Sequence, residues 1–224
     1  MLDVACGTGV LTREALPRCG PTGAVTGFDL SPEMLAVAAR LSPEVTWQQG
    51  SAESLPFADE TFDAVVSQFG LMFFPDRVAA MREMRRVLVP GGRLTVAVWG
   101  SLAETPAYAA EVALVERVAG HEAADALRTP FALGDPERMA ELCEQAGIEG
   151  ARVALHQGRG RFPNIRTMVE VDVRDWLRIV GITLDEGVIE AILRESEAAL
   201  RPYVTADESG VAFDSPAVLA QATR

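Results

Sequence analysis

The residues of this chain that could support chemistry begin with an acid followed by small residues in a tight turn. Asp3 ends an apolar stretch, and Ala5, Gly7 and Gly9 follow it at alternate positions, with Thr8 between the glycines. Small residues let a ligand approach the backbone closely, and the free N–H groups at the start of the next helix attract polar groups. We therefore predict a cofactor-binding turn made of these five residues.

The kind of cofactor follows from what this turn contains and lacks. A dinucleotide site would have a third glycine where Thr12 stands, and Asp3 would repel a pyrophosphate in a dry site. The same acid suits a cationic or amine-bearing ligand. Asp29 ends the next predicted strand, 20 residues after Gly9, where an acid can accept hydrogen bonds from both ribose hydroxyls. These residues indicate an adenosine-containing ligand rather than NAD.

A further pair of candidate residues follows an almost continuous apolar strand predicted over 61–70. Gln68 and Phe69 lie at the carboxyl end of this strand, where open α/β sheets bind ligands. A glutamine among apolar residues suits a polar group placed beside the reacting atoms. A glutamine that simply bonds to the backbone is the alternative, because buried polar groups are usually satisfied.

Alternating strands and helices must position these residues. The pattern up to residue 100 is β-α-β-α-β-β-α-β, which predicts a doubly wound parallel sheet with right-handed crossovers. The later segments are predicted as helices over 106–124, 136–146, 166–181 and 185–201 and as strands over 151–158 and 217–223.

Three motifs resemble class I S-adenosylmethionine-dependent methyltransferases, in the ubiquinone/menaquinone C-methyltransferase-like branch that is often labelled type 11. They are Leu-Asp-Val-Ala-Cys-Gly-Thr-Gly (2–9), Gly-Phe-Asp-Leu-Ser-Pro-Glu-Met-Leu (27–35) and Leu-Val-Pro-Gly-Gly-Arg (88–93). The resemblance covers residues 2 to about 100. It implies an α/β, Rossmann-like methyltransferase fold with a mostly parallel seven-stranded sheet, an antiparallel last strand and helical lid insertions.

The resemblance also implies the cofactor, S-adenosyl-L-methionine, and its product, S-adenosyl-L-homocysteine. In the family, the counterpart of Asp29 holds the ribose, the counterpart of Leu30 covers the adenine, and the residue at Met34 packs nearby. Leu30 and Met34 could equally be plain core residues.

The loop after the third predicted strand is expected to bind the adenine edge. Family members usually carry an aspartate where Ser51 stands, and it accepts a hydrogen bond from the adenine amino group. A serine hydroxyl accepts without charge assistance, so a weaker bond is expected here. Ala52 would offer its backbone N–H to the ring, and Glu53 completes this part of the predicted site.

Composition agrees with a small-molecule enzyme. A chain of 224 residues fits one large α/β domain, and a net charge of −12 argues against a nucleic-acid partner. The spacing of Cys6, Cys19 and Cys143 matches no zinc site, so no metal is predicted, and a reducing cytoplasmic location is expected. No apolar run approaches the ~18 residues of a membrane span. The oligomeric state is not predicted.

We predict one methyltransferase domain over 1–224, with a cofactor-binding half (1–100) and a substrate and lid half (101–224) that includes a helical insertion (166–202). Its predicted function is methyl transfer to a small, hydrophobic acceptor by in-line displacement. A non-catalytic or regulatory S-adenosylmethionine-binding module is the alternative. A nucleotide-dependent oxidoreductase is disfavoured by Thr12 and Asp3.

No catalytic residue is predicted. His121, His156, Tyr108 and Tyr203 are the available bases, and none stands in a motif. Family members usually have a helical stretch ahead of the first strand. We therefore expect either a longer natural protein or a site covered only by the helices after Gly100 and those between the last two strands.

Overall fold

The computed structural model describes residues 1–205, 207 and 209–224, which form two compact units. Unit 1 comprises Met1–Val98, Asp135–Leu155 and Val218–Arg224, and unit 2 comprises Trp99–Gly134 and His156–Ala217. The chain therefore passes from one unit to the other four times.

The strands of the described residues are β1 (Leu2–Val4), β2 (Thr26–Asp29), β3 (Thr46–Gln49), β4 (Phe62–Gln68), β5 (Leu88–Trp99), β6 (Arg152–His156), β7 (Arg159–Phe162), β8 (Val211–Asp214) and β9 (Ala217–Thr223). The α-helices are α1 (Val10–Ala15), α2 (Pro32–Leu41), α3 (Arg77–Arg86), α4 (Pro106–Ala119), α5 (His121–Arg128), α6 (Pro136–Gln145), α7 (Ile165–Glu170), α8 (Leu177–Ile179) and α9 (Glu186–Ala199).

Unit 1 is built on a seven-stranded sheet with the order β3-β2-β1-β4-β5-β9-β6. Strands β3, β2, β1, β4 and β5 pair in parallel. β9 runs antiparallel to β5, because the Gly91 N–H bonds to Arg224 O at one end and the Gly100 N–H bonds to Pro216 O at the other. The predicted doubly wound, mostly parallel sheet with an antiparallel last strand is confirmed.

The strand order puts β1 between β2 and β4. Asp3 is level with Gly27 on β2 and Val66 on β4, and all three residues of β1 are buried. Such burial is expected for a parallel strand that is covered on both faces. The segments that follow β1, β2 and β4 therefore meet at one edge of the sheet.

Two helices of unit 1 begin directly after a side chain that caps their first turn. α2 follows Ser31, whose hydroxyl accepts a hydrogen bond from the Met34 N–H, and α3 follows Asp76, whose carboxylate accepts one from the Ala79 N–H. These side chains satisfy N–H groups that the first helical turn leaves without a partner.

Unit 2 contains α4, α5, α7, α8, α9 and the antiparallel pair of β7 and β8. The helices predicted over 166–181 and 185–201 are present, and Val171–Trp176, between α7 and α8, forms a π-helix. Buried residues of α4, α5, α7, α9 and β8 share one hydrophobic cluster. Within the described part of the chain, no helix is long and apolar enough to cross a membrane.

Two predictions for the part of the chain after residue 100 were wrong in detail. The single helix predicted over 106–124 is broken at Gly120, whose φ of 89° separates α4 from α5. The strand predicted over 151–158 ends at His156, and β7 follows as a separate strand that pairs with β8. β7 reads Arg-Gly-Arg-Phe, which lacks the apolar alternation that predicts a strand.

Candidate functional site

Asp3 is the middle residue of β1, and only 1% of its surface is exposed. Its Oδ2 accepts a hydrogen bond from the Thr12 hydroxyl at 2.6 Å, whereas Oδ1 is buried and has no partner among the described residues. Burial raises the pKa of Asp3 to about 6, although the Thr12 bond acts in the opposite direction. An unpartnered buried oxygen is costly, so this atom would gain from a donating ligand such as an ammonium group.

The turn after β1 leaves one stretch of backbone open. Ala5, Gly7 and Gly9 have φ angles of 58°, 54° and 80°. A Cβ atom on Gly7 would meet nothing within 4 Å, so this side of the turn is free for a ligand. Arg13 Nη1 donates to the Thr8 carbonyl at 2.6 Å and ties the turn to α1.

Position 9 has no room for a side chain, because the ring of Trp47 packs against it. The sequence patterns did not connect Trp47 with the site. A Cβ on Gly9 would lie 2.4 Å from the Trp47 ring, and one on Gly27 would lie 2.3 Å from it. Trp47 Nε1 donates to the Ser42 carbonyl at 2.9 Å, which holds the ring in place. The turn thus packs on Trp47 through Gly9, and its open side lies at Gly7.

Asp29 connects the turn after β1 with the segment after β2. Its Oδ2 accepts a hydrogen bond from the Gly7 N–H and its Oδ1 accepts one from the Ser31 N–H, both at 2.8 Å. These bonds fix the carboxylate plane, and each oxygen keeps a lone pair that can accept from a ligand. The structure therefore brings Asp29 and the predicted turn together.

Leu30 and Met34 are not core residues. Leu30 exposes 69% of its surface and Met34 exposes 37%, so the plain-core alternative is wrong. Gln49 Nε2 donates to the Leu30 carbonyl at 3.1 Å, which holds the segment after Asp29 against the end of β3. This segment presents apolar surface that a ring of a ligand could cover.

The loop after β3 lies next to the end of β2, because the Gly50 N–H bonds to the Asp29 carbonyl at 3.0 Å. The Ser51 hydroxyl donates to the Glu53 carboxylate, and the Glu53 N–H donates to Ser51 Oγ at 3.4 Å. Ala52 is buried. Glu53 Oε1 is a second buried carboxylate oxygen without a partner in the described part of the chain.

The end of β4 packs against the turn after β1. A Cβ on Gly70 would lie 2.4 Å from the Ala5 Cβ, and Gln68 is exposed. Phe69 has a φ of 56°, and its N–H donates to Ala97 O at 2.8 Å. Left-handed residues other than glycine cost about 1–3 kcal/mol each and cluster at functional sites, and both Ala5 and Phe69 lie at this edge.

The predicted cofactor residues therefore all belong to unit 1, in the segments that follow β1, β2, β3 and β4. The structure brings together Asp3, Gly7 and Asp29 through the turn, and Ser51 and Glu53 through the neighbouring loop. Their role in binding stays a prediction.

The four residues considered as bases belong to unit 2. His121 and His156 are exposed. Burial, together with the charges of Asp172 and Glu111, raises the pKa of Tyr108 and favours its protonated phenol. These observations assign a catalytic role to none of them.

Unit 2 also holds a buried pair of carboxyl groups. Glu111 on α4 has no exposed surface, and both of its oxygens and Oδ2 of Asp172 have no donor among the described residues. Burial and the neighbouring Asp172 raise the pKa of Glu111, and burial raises that of Asp172 to about 7. Burial and the proximity of two like charges therefore both favour the protonated form of these carboxyl groups.

Comparison with known proteins gives a match over the first strands and helices. Residues 2–96 match a protein family described as a methyltransferase domain. Over 92 residues, 41% of this chain and 37% of the relative, the sequence is 47% identical to demethylmenaquinone methyltransferase of Chlorobaculum parvum. Over 98 residues, 42% of this chain and 44% of the relative, it is 44% identical to 2-phytyl-1,4-naphtoquinone methyltransferase of Thermosynechococcus vestitus. The matched segments span less than half the length of these curated relatives.

Solved structures are similar over the whole chain. The YcgJ protein of Bacillus subtilis has a TM-score of 0.61 and 20% identity, with 100% of this chain and 90% of that chain covered. Phosphoethanolamine N-methyltransferase 2 of Haemonchus contortus has a TM-score of 0.59 and 19% identity, with 100% and 48% covered. At these identities the similarity concerns the fold alone. The family match ends within β5, so unit 2 lies outside it.

Proposed function

We propose that residues 2–96, which match the methyltransferase-domain family, belong to the class I methyltransferases that the three sequence motifs resemble, and that the protein transfers the methyl group of S-adenosylmethionine to a small-molecule acceptor. The observation that carries the proposal is the position of Asp29. Its carboxylate is held by the N–H groups of Gly7 and Ser31, at the same sheet edge as the unpartnered Oδ1 of Asp3.

The residues at this edge fit the polar groups of the proposed cofactor. Asp29 would accept hydrogen bonds from the ribose hydroxyls, and Asp3 Oδ1 would accept one from the amino group of the methionine part. The open backbone at Gly7 would allow close approach. The residues proposed to complete the site are Ala5, Thr8, Gly9, Leu30, Met34, Ser51, Ala52, Glu53, Gln68 and Phe69.

The cofactor supplies a sulfonium methyl that is already an activated electrophile. The residues of unit 1 then have to bind and orient it and to exclude water, for which no covalent contribution from the protein is required. Well-oriented reactants can reach effective molarities of ~10⁵ to 10⁸ M, so positioning can provide much of the rate. We assign no general base.

The proposed acceptor is small and hydrophobic. The names of the two relatives given above state methylation of demethylmenaquinone and of a 2-phytyl-naphthoquinone, and we extend the class of apolar acceptors to this chain. The proposed substrate and lid half (101–224) contains an aromatic cluster in which the Tyr108 ring lies 5.4 Å from Phe131 and 5.5 Å from Phe213. The net charge of −12 supports a small molecule over a nucleic acid.

We propose a reducing, cytoplasmic location. Cys6, Cys19 and Cys143 are all free thiols, which supports such a compartment. Burial raises the pKa of Cys143 to about 11 and also raises that of Cys6, so both stay protonated and unreactive.

Calorimetry with S-adenosylhomocysteine tests the site. In Asp29→Asn one oxygen remains for a backbone N–H, but the charged acceptor is lost, so we expect about 10- to 100-fold weaker binding. Asp63→Asn, at an exposed position on β4, is the matched control and should bind like the wild type. NAD should not bind. A change of less than about threefold in a folded Asp29→Asn protein would refute the assignment.

A non-catalytic S-adenosylmethionine-binding module is the alternative to an enzyme. Tritium transfer from methyl-labelled cofactor into an extract of small metabolites separates the two, and identification of the labelled product gives the acceptor. Cofactor binding without transfer to any fraction would favour the binding module.

A further inference from the structure

Arg77, the first residue of α3, has hydrogen-bond donors that the chain leaves without acceptors. A guanidinium group carries five N–H donors. Of these, Nη2 donates to the Met72 carbonyl at 2.9 Å, and Nε is buried without an acceptor among the described residues. Because a buried donor without a partner costs free energy, an acceptor supplied from outside the chain would stabilise this side chain.

The charges that act on Arg77 are also unusual. Burial and the positive charge of Arg138, on α6, both lower the pKa of Arg77. Arg86 and Arg174 show the opposite behaviour, because neighbouring carboxylates raise the pKa of each. Arg77 therefore has a second cation beside it and, in the described part of the chain, no carboxylate that compensates for this repulsion.

The helices that carry the two arginines lie side by side. Arg82 on α3 donates through Nη2 to the Gln145 carbonyl of α6 at 2.8 Å. Arg77 is the first residue of α3 and Arg138 is the third residue of α6, so both stand in a first helical turn. The start of a helix carries a partial positive charge that favours anions and disfavours cations. Both arginines therefore lie where an anion is favoured.

The carboxylates that immediately precede these helices already bind backbone groups. Asp76 accepts a hydrogen bond from the Ala79 N–H, and Asp135 accepts one from the Glu137 N–H, as the caps of α3 and α6. The chain has 32 acidic residues and 20 basic ones, so two neighbouring arginines do not reflect a shortage of acids. The missing counter-charge indicates a negative group that comes from outside the chain.

We propose that Arg77 and Arg138 bind an oxyanion, the phosphate or carboxylate group of a small molecule other than the proposed cofactor. Planar guanidinium groups bind such groups through paired N–H donors. The Met72 carbonyl holds Arg77 against the segment that follows β4 and the predicted site residues Gln68 and Phe69. The oxyanion site therefore lies in unit 1, at the same edge of the sheet as the candidate site.

Calorimetry with inorganic phosphate, at an ionic strength kept constant with chloride, tests the site. The wild type should bind one phosphate with a Kd of about 1 mM. Arg77→Gln and Arg138→Gln should each weaken this binding by about 10-fold or more, because each loses a charged donor pair. The glutamine amide at position 77 can still donate to the Met72 carbonyl. Arg85→Gln is the matched control, because it removes the same charge from an exposed position of α3, and it should bind phosphate like the wild type.

Saturable phosphate binding that weakens in both variants but not in Arg85→Gln supports the inference. The absence of saturable binding to the wild type, or equal weakening in all three variants, overturns it. If Arg77→Gln does not fold, Arg138→Gln, at an exposed position, decides in the same way. Saturating S-adenosylhomocysteine should not displace phosphate; displacement would assign the arginines to the cofactor and overturn the inference. Phosphate binding by a protein that does not bind S-adenosylhomocysteine would support the oxyanion site while refuting the proposed function.

Discussion

Replacing Asp3 by asparagine measures what this buried acid of β1 does to the stability of the fold. Asparagine has nearly the same shape and can still accept the hydrogen bond of the Thr12 hydroxyl, but it cannot ionise. In the wild type, burial raises the pKa of Asp3 from 3.8 to about 6. Between these two pH values the folded protein holds a proton that the unfolded chain has released.

The sign and size of the effect follow from this difference in proton binding. A carboxyl group whose pKa is raised by folding stabilises the fold while it is protonated, and this contribution is lost as pH rises from about 4 through about 6. The loss corresponds to about 3 kcal/mol of unfolding free energy. Asp3→Asn should remove this pH-dependent part. The amide N–H group placed near the former Oδ1 adds a constant cost of about 1–3 kcal/mol instead.

The assay is urea unfolding of both proteins at pH values of about 4 and about 8. From the lower to the higher pH, the unfolding free energy of the wild type should fall by about 3 kcal/mol more than that of Asp3→Asn. Asp63→Asn, at an exposed position, should follow the wild type. An identical pH dependence of wild type and Asp3→Asn would refute the reasoning, because Asp3 would then titrate equally in both states.

Two further predictions concern packing and the buried carboxyl pair. Gly9→Ala should lower the unfolding free energy by about 1–3 kcal/mol more than Gly7→Ala, because the new Cβ at position 9 would lie 2.4 Å from the Trp47 ring. A Cβ at position 7 would meet nothing within 4 Å. Equal losses measured by urea unfolding would show that the contact with the ring is unimportant. Glu111→Gln should reduce the fall in melting temperature as pH rises from about 4 to about 7, because the folded wild-type pair keeps protons in that range that the unfolded chain releases. A steeper fall in the variant would contradict a protonated pair.

The parts of the fold that follow from neighbouring residues were predictable. The acid within β1, the glycines that follow this strand, and the caps of α2 and α3 are local signals that need no distant partner. The pairing of β7 with β8 could not be predicted in the same way. About 50 residues separate the two strands, and the Arg-Gly-Arg-Phe sequence of β7 becomes a strand only because Val211–Asp214 lies beside it.

In the candidate site, too, contacts between neighbouring motifs were predictable and contacts that depend on strand alignment or loop conformation were not. The spacing between the glycine turn and Asp29 indicated that they serve one site, and the Gly7 N–H donates a hydrogen bond to Asp29 Oδ2. Trp47 was missed because its contact with Gly9 depends on how β3 and β2 are aligned. The Ser51–Glu53 bond was missed because a two-residue spacing in a loop does not determine whether side chains meet.

The passage of the chain between the two units affects the order in which the protein can fold during synthesis. β1, β2, β4 and β5 emerge within the first 99 residues, but β9, the next strand of the sheet, follows both stretches of unit 2. Until residues 217–223 have left the ribosome, β5 has no partner on that side, and its free N–H and C=O groups can pair with another chain. We therefore expect the nascent protein to be most prone to self-association along β5, after β1, β2 and β4 have paired.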